Sequence, residues 1–342
     1  MIIFRADGNK SIGSGHIMRC LSIANTAKEL GYKCKFIISS DDFKDFIIKN
    51  GHLVEVLNSD YTVLYSDEII RNIKLFKPSA VIVDSYYISE EFMEAVHKQC
   101  SRLGCKLIYI DDRCSVAFSC DYLINYNISA ETELYKQLYN GKNLPSLLLG
   151  TSYAPLRKEF QNCEPRRISS EARNILVSTG GSDPEHFTSV LVDEAKKYSN
   201  YVFHFILGLM NPDKEIIKKL ATDSSNILLH ENVTNMSELM YLCDVAISAS
   251  GSTLYELCST QTPTITYILA DNQIPLALGF HNKGIIQNDG DIRTIGKQTL
   301  AKTLIKDAVN LADNYVERIR VSNILSTIVD GNGAKRIIES IC

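Results

Sequence analysis

Residues 5–21 read Arg5-Ala6-Asp7-Gly8-Asn9-Lys10-Ser11-Ile12-Gly13-Ser14-Gly15-His16-Ile17-Met18-Arg19-Cys20-Leu21. Before them stands Met1-Ile2-Ile3-Phe4, short and continuously apolar, as a strand buried on both faces is. After them Ile17, Leu21, Ala24 and Ala27 recur at helical spacing. The stretch therefore joins a strand to a helix through a polar, glycine-bearing loop. Gly13 and Gly15 allow sharp turns and close approach by a ligand, and the first amides of a helix, which lack intrahelical acceptors, suit an anion. His16 stands where that helix begins. The loop has neither the Gly-x-Gly-x-x-Gly spacing of a dinucleotide fingerprint nor the Lys-Ser/Thr ending of a P-loop. Read alone, it is either an anion-binding loop with a reactive imidazole or a turn whose histidine faces solvent at a helix start.

Working outward, strand and helix patterns alternate. Strands are expected at residues 34–38, 53–57, 80–84 and 106–110, with a short final one at 122–125; helices are expected at 66–76 and 89–102. Asp84-Ser85-Tyr86-Tyr87 and Asp111-Asp112-Arg113 end two of these strands, where a parallel sheet delivers residues to its ligand edge. Residues 156–172 lose periodicity and read as a connection between an N-terminal domain, 1–155, and a C-terminal domain, 173–342, whose terminal helix is open to packing back on the first. The second half repeats the device: strands at 174–179, 201–207, 227–229 and 245–248, then 263–269 as the last strong strand, with helices over much of 275–288 and 296–313. The fold class expected is α/β, two Rossmann-like domains with a cleft between them.

At 342 residues the chain exceeds the usual size of one core. A net charge of −4 without a lysine-arginine run argues against a nucleic-acid partner. No apolar run reaches membrane-spanning length and the start is too quickly polar for a signal peptide, so a cytoplasmic protein with no membrane partner is expected. The ten cysteines are dispersed, without zinc spacing, and read as reduced core residues.

The loops Gly180-Gly181-Ser182-Asp183 and Ser250-Gly251-Ser252-Thr253 both precede helices and offer donors to a nucleotide diphosphate; each also reads as a capping turn. Glu256, three residues after Thr253, suits either a capping box or a ribose. Asp183 is expected to fix its turn rather than touch phosphate. Asn272 and Gln273 can donate to sugar hydroxyls or an acetamido group, and Tyr86 can orient water or pack under its loop. His16 supplies an imidazole, the side chain suited to act as a base near neutral pH.

Arg5-x-Asp7, the Ile12-Gly13-Ser14-Gly15-His16-x-Met18-Arg19-Cys20-Leu21 run, Gly180-Gly181-Ser182-Asp183-Pro184 and Ala270-Asp271-Asn272-Gln273 together resemble the UDP-2,4-diacetamido-2,4,6-trideoxy-β-L-altropyranose hydrolases of pseudaminic acid biosynthesis. That family is similar to the GT-B glycosyltransferases and to SpsG-like spore-coat polysaccharide proteins. The resemblance implies His16, Tyr86 and Asn272 as catalytic residues. It implies substrate binding by Gly13, Ser14, Gly15, Arg19, Gly181, Ser182, Gly251, Ser252, Thr253, Glu256 and Gln273. It further implies no cofactor and no metal, a UDP-sugar substrate, other enzymes of the pathway as partners, and attack of water at C1 with inversion. Ser250 and His186 stand where related chains often carry glycine and asparagine. The alternatives are a GT-B-like glycosyltransferase using a UDP-sugar donor and a noncatalytic UDP-sugar-binding protein.

Overall fold

The computed structural model describes residues 1–9, 12–57, 66–208 and 210–342. Lys10 and Ser11 of the opening loop lie outside the described residues. The chain divides into two units, Met1–Lys158 with Asn332–Cys342, and Glu159–Gly331.

The first unit is built on β1 (Ile2–Ala6), β2 (Cys34–Ile38), β3 (Leu53–Val56), β4 (Ala80–Asp84), β5 (Lys106–Ile110), β6 (Tyr122–Asn125) and β7 (Ser146–Leu149), in the order β3-β2-β1-β4-β5-β6-β7. Every neighbouring pair is parallel. β1, β2 and β4 are buried along their whole length, which is why their sequences are mainly apolar rather than alternating, with Arg5, Lys35 and Asp84 as the charged residues buried among them. On one face Ile3, Val81, Val83 and Leu107 pack against Ile69 and Ile73 of the helix Ser66–Phe76 and Phe92, Met93 and Val96 of the helix Glu90–Arg102. Each such side chain contributes roughly 1.5–3 kcal/mol by burial. The strand order reverses between β1 and β4, whose ladder runs from Ile2 opposite Ala80 to Ala6 opposite Asp84. At that reversal the chain segments leaving the two strands diverge, opening the crevice in which sheets of this kind hold ligands.

β7 follows the short strand at 122–125, in the apolar Leu147-Leu148-Leu149-Gly150 stretch that also reads as a strand: Ser146–Leu149 pairs with β6 from Tyr122 opposite Ser146 to Asn125 opposite Leu149. The helix Thr132–Leu138 lies between them, too short to leave a periodic signature. The helix Gly333–Ile341 belongs to this unit and packs on the helix Gly15–Glu29. Gly333 fits because a side chain there would collide with the Ala154 carbonyl, and Arg336 Nη1 donates to Ser152 O at 2.8 Å.

The second unit repeats the plan with β8 (Asn174–Ser178), β9 (Val202–Leu207), β10 (Ile227–Glu231), β11 (Val245–Ala249), β12 (Thr264–Ile268) and β13 (Gln287–Asp291), in the order β10-β9-β8-β11-β12-β13. Its core joins Phe203, Phe205, Val245 and Ile247 to Phe187 and Leu191 of the helix Phe187–Ala195 and to Leu300, Leu304 and Ile305 of the helix Lys297–Asp313. Here the reversal falls between β8 and β11. β13 is a correction: its sequence, Gln-Asn-Asp-Gly-Asp, has no apolar signal, because an edge strand is held by backbone bonds to β12 alone. The preceding helix accordingly stops at Asn282, short of the 275–288 stretch expected.

Among the described residues no helix is long and apolar enough to cross a membrane. All ten cysteines are free.

Candidate functional site

The loop after β1 closes on itself: Asn9 accepts from the amides of Ile12 (Oδ1, 2.9 Å) and Gly13 (O, 2.8 Å). Gly13 sits at φ +78°, a conformation that favours glycine. Ser14 then precedes the helix Gly15–Glu29 without a side-chain cap. Among the described residues nothing lies within 4 Å of where a Gly15 side chain would begin.

One helical turn carries His16 and Arg19 on the same face, and both reach across the strand reversal to the end of β4. His16 Nδ1 lies 2.6 Å from Asp84 Oδ1. Arg19 clamps the same carboxylate, Nε to Oδ2 at 2.6 Å and Nη2 to Oδ1 at 2.5 Å. Its Nη1 donates to Asp112 Oδ2 and to the Tyr126 hydroxyl, each at 3.1 Å. Tyr86, two residues beyond Asp84, donates its hydroxyl to Asp112 Oδ2 at 2.6 Å and sets its ring edge-on to His16, centroids 4.5 Å apart. The Arg113 guanidinium lies over the Tyr86 ring, 3.8 Å from its centroid.

Asp84 is fully buried and His16 only 6 % exposed. Burial pushes the Asp84 carboxyl upward, but the Arg19 guanidinium, with His16 next, outweighs it and holds the group well below the usual carboxylate range. Burial likewise works against the charge of Arg19, and Asp84 chiefly restores it, leaving the guanidinium more firmly protonated than usual. The network is thus an ionised Asp84–Arg19–Asp112 chain with an imidazole at one end and a phenol at the other. Arg19, expected to bind substrate, directs its donors inward.

In the second unit, Gly181, Ser182, Gly251, Ser252 and Thr253 follow the adjacent strands β8 and β11. Gly208 holds the first of these loops: a side chain there would collide with the carbonyl oxygens of Gly180 and Gly181, and the Met210 amide donates to Gly181 O at 3.0 Å. Asp183, fully buried, accepts from the amides of Phe187 and Thr188, both at 2.9 Å, and from the Thr188 hydroxyl at 2.6 Å. It therefore fills the start of the helix Phe187–Ala195 with its own charge. The second loop is different. The Ser250 hydroxyl turns inward to Thr266 Oγ1 (2.7 Å) and Tyr267 O (2.8 Å), while among the described residues nothing lies within 4 Å of where a Gly251 side chain would begin. The helix Thr253–Ser259 starts behind Ser252, which makes no side-chain cap, so Thr253 is inside the helix and the Thr253–Glu256 capping box is not the cap used.

After β12, Asn272 is exposed in the short turn Asp271–Gln273, and Gln273 Oε1 accepts from the Leu269 amide at 2.9 Å, closing the turn. Asp289-Gly290-Asp291 is an Asp-x-Asp spacing that sequence reading passed over; Asp291 is taken by Arg293 through Nε at 2.9 Å and Nη2 at 2.6 Å. Among the described residues no group of three or more metal-ligating side chains occurs.

His16, Arg19 and Tyr86 are thus brought together, whereas Gln273 and Asp183 serve their own turns. Asp84, Asp112 and Tyr126 were not singled out as site residues. For the two aspartates the signal was available: a carboxylate ending an apolar parallel strand, and the polar Asp-Asp-Arg after β5.

No protein-family model matches the chain. It is 28% identical over 279 residues to an uncharacterised protein of Methanocaldococcus jannaschii, a match covering 78% of this chain and 55% of that one. It is 22% identical over 338 residues to the spore coat polysaccharide biosynthesis protein SpsG of Bacillus subtilis, covering 97% and 95% of the two chains. It is 25% identical over 288 residues to the UDP-2,4-diacetamido-2,4,6-trideoxy-β-L-altropyranose hydrolase of Campylobacter jejuni, covering 83% and 97%. Among solved structures, a putative UDP-N-acetylglucosamine 2-epimerase of Listeria monocytogenes superposes with a TM-score of 0.67 at 13% identity over 99% and 95% of the chains. A glycosyltransferase of Rickettsia africae does so with a TM-score of 0.61 at 12% identity over 99% and 97%. With two parallel, doubly wound sheets of this strand order, the chain has a GT-B-like fold of two Rossmann-like domains.

Proposed function

We propose that this chain acts on a UDP-sugar, breaking the bond between the sugar's anomeric carbon and the diphosphate, with His16 as the base that activates an oxygen nucleophile. The observation that carries the reading is the His16 imidazole held by a buried, ionised carboxylate at the strand reversal of the first unit. The open Gly251-Ser252-Thr253 loop at the corresponding reversal of the second unit supports it as the diphosphate-binding element, with Gly181 and Ser182 beside it.

In the reaction the nucleophile's O–H gives its proton to His16 as its oxygen bonds to C1. The C1–O bond breaks, UDP leaves with that electron pair, and attack opposite the leaving group inverts C1. UDP is a stable anion, so donors at the loop suffice to stabilise it. Asn272 is assigned to the sugar's acetamido group, Glu256 to the ribose.

Solved structures of the same fold back transfer to a hydroxyl acceptor better than hydrolysis, and that reading comes first. Hydrolysis, with water as the nucleophile, is favoured by the Campylobacter relative, matched over 97% of its length. In that reading the substrate is the UDP-diacetamido-trideoxy-altropyranose and the setting cytoplasmic pseudaminic acid synthesis.

Incubation of the pure chain with a panel of UDP-sugars, with and without hydroxyl acceptors, tests both. UDP and glycoside formed only when an acceptor is present support transfer; UDP and free sugar in equal amounts without one support hydrolysis. A chain that shows no binding of UDP by calorimetry and no release of UDP from any donor would sink the proposal.

A further inference from the structure

The geometry points to Asp84 as the positioning residue of His16: we propose that it holds the imidazole with its proton on Nδ1, so that Nε2 carries the lone pair that takes the nucleophile's proton. This rests on the reading of His16 as a base.

Nδ1 has two polar neighbours, Asp84 Oδ1 at 2.6 Å and Arg19 Nη2 at 2.9 Å. A guanidinium only donates and an ionised carboxylate only accepts. A bare Nδ1 would meet the Asp84 oxygen at 2.6 Å with two lone pairs and no proton between them. A protonated Nδ1 donates to Oδ1, and Arg19 Nη2 turns its own hydrogen to that same oxygen at 2.5 Å. Arg19 also binds Oδ2, so the carboxylate is pinned from both sides and cannot rotate away from the ring. The Cys20 thiol donates weakly to Oδ2 at 3.5 Å, and the Tyr86 ring edge limits how far the imidazole can swing.

The charges around the ring fit the same role. Around the ring stand Arg19 with one positive charge, Asp84 and Asp112 with two negative charges, and the Arg113 guanidinium over the Tyr86 ring, whose centroid lies 4.5 Å from that of His16. Asp84, in direct contact with Nδ1, favours the imidazolium that forms when Nε2 takes a proton, and Arg19 holds that carboxylate in place.

Asp84→Asn reverses the arrangement. Arg19 demands an acceptor and takes the new amide's oxygen, which leaves the amide's N–H facing Nδ1. Nδ1 must then accept, the ring proton moves to Nε2, and the base is lost while the ring stays in place. The expected result is a fall in kcat of roughly 10²–10⁴-fold, with KM changed less than about threefold.

The test is nitrogen-15 NMR of the full-length chain at neutral pH, with His16 assigned by comparison with His16→Asn. The unaltered chain should show a protonated Nδ1 and an unprotonated Nε2, and Asp84→Asn should exchange the two. Protonated Nε2 in the unaltered chain overturns the inference, and that spectrum decides even if the variant does not fold. A folded Asp84→Asn chain that keeps its Nδ1 proton, or keeps kcat within about threefold, overturns it as well. Absence of UDP-sugar turnover in the unaltered chain counts against the proposed function instead, because the spectrum is read without substrate.

Discussion

Replacing Arg19 by methionine keeps an unbranched, helix-compatible side chain and removes the cation that clamps Asp84. Asp84, fully buried, then loses the bonds at 2.5 and 2.6 Å that neutralise it and keeps only His16 and the Cys20 thiol. Breaking a buried ion pair by removing one partner costs about 3–5 kcal/mol. With a urea slope of roughly 2–3 kcal/mol/M for a domain of this size, the midpoint of the first unit should fall by about 1–2 M near neutral pH. The pH dependence has a definite sign. In the unaltered chain the depressed Asp84 contributes stability above its unfolded value of about 3.9, lost only as pH falls through its lower folded value. Without Arg19, burial raises the folded value above the unfolded one, so the penalty is full at neutral pH and fades as the carboxyl protonates. The deficit of Arg19→Met relative to the unaltered chain should therefore shrink on acidification. Combining it with Asp84→Asn should be less costly than the two losses added, by about 2–3 kcal/mol. Urea titrations of the four proteins provide the cycle. A deficit below about 1 kcal/mol at neutral pH, or strict additivity, would refute the charge argument.

Gly251→Val adds a side chain where the described residues leave nothing within 4 Å, so thermal stability should change by less than about 1 kcal/mol while UDP affinity, read by calorimetry, drops at least about tenfold. Unchanged affinity would remove the loop from the nucleotide site. Gly208→Ala drives a methyl into the Gly180 and Gly181 carbonyls and should cost roughly 1–3 kcal/mol, again by urea midpoint, with weaker UDP binding as the loop shifts. Burial, helped by Lys28, lowers His52 to about 4, and burial, helped by stacked His230, lowers His204 to about 4. Both rings fold neutral, so their contribution is full above the unfolded value of about 6.5 and is lost as pH falls from there toward 4. Discounted for partial solvation, each amounts to about 2 kcal/mol, and His204→Gln should flatten the acid limb of the second unit's urea midpoint.

The mainly apolar runs at β1, β2, β4, β8 and β11 announced both sheets, because a strand buried on both faces reads as a near-continuous apolar run. β13 stayed hidden because its stability comes from backbone pairing that Gln-Asn-Asp-Gly-Asp does not advertise. At the candidate site, His16 and Tyr86 stood out by residue type and position. Asp84 did not, although it ends a strand that was recognised: which carboxylate meets which imidazole depends on β4 lying beside β1, a pairing 78 residues apart at Ile2 and Ala80. For Arg19 the resemblance implies substrate binding, and the packed structure shows its donors engaged by Asp84, Asp112 and Tyr126.

The claim that His16 promotes displacement at the anomeric carbon of a UDP-sugar is tested most directly by single-turnover UDP release in oxygen-18 water, with and without acceptor, for the unaltered chain and His16→Asn side by side. The account predicts unlabelled UDP, release slowed by roughly 10²–10⁴-fold in the variant, and UDP affinity unchanged within about threefold. Label in the β-phosphate of UDP, or release by folded His16→Asn at the unaltered rate, would contradict it.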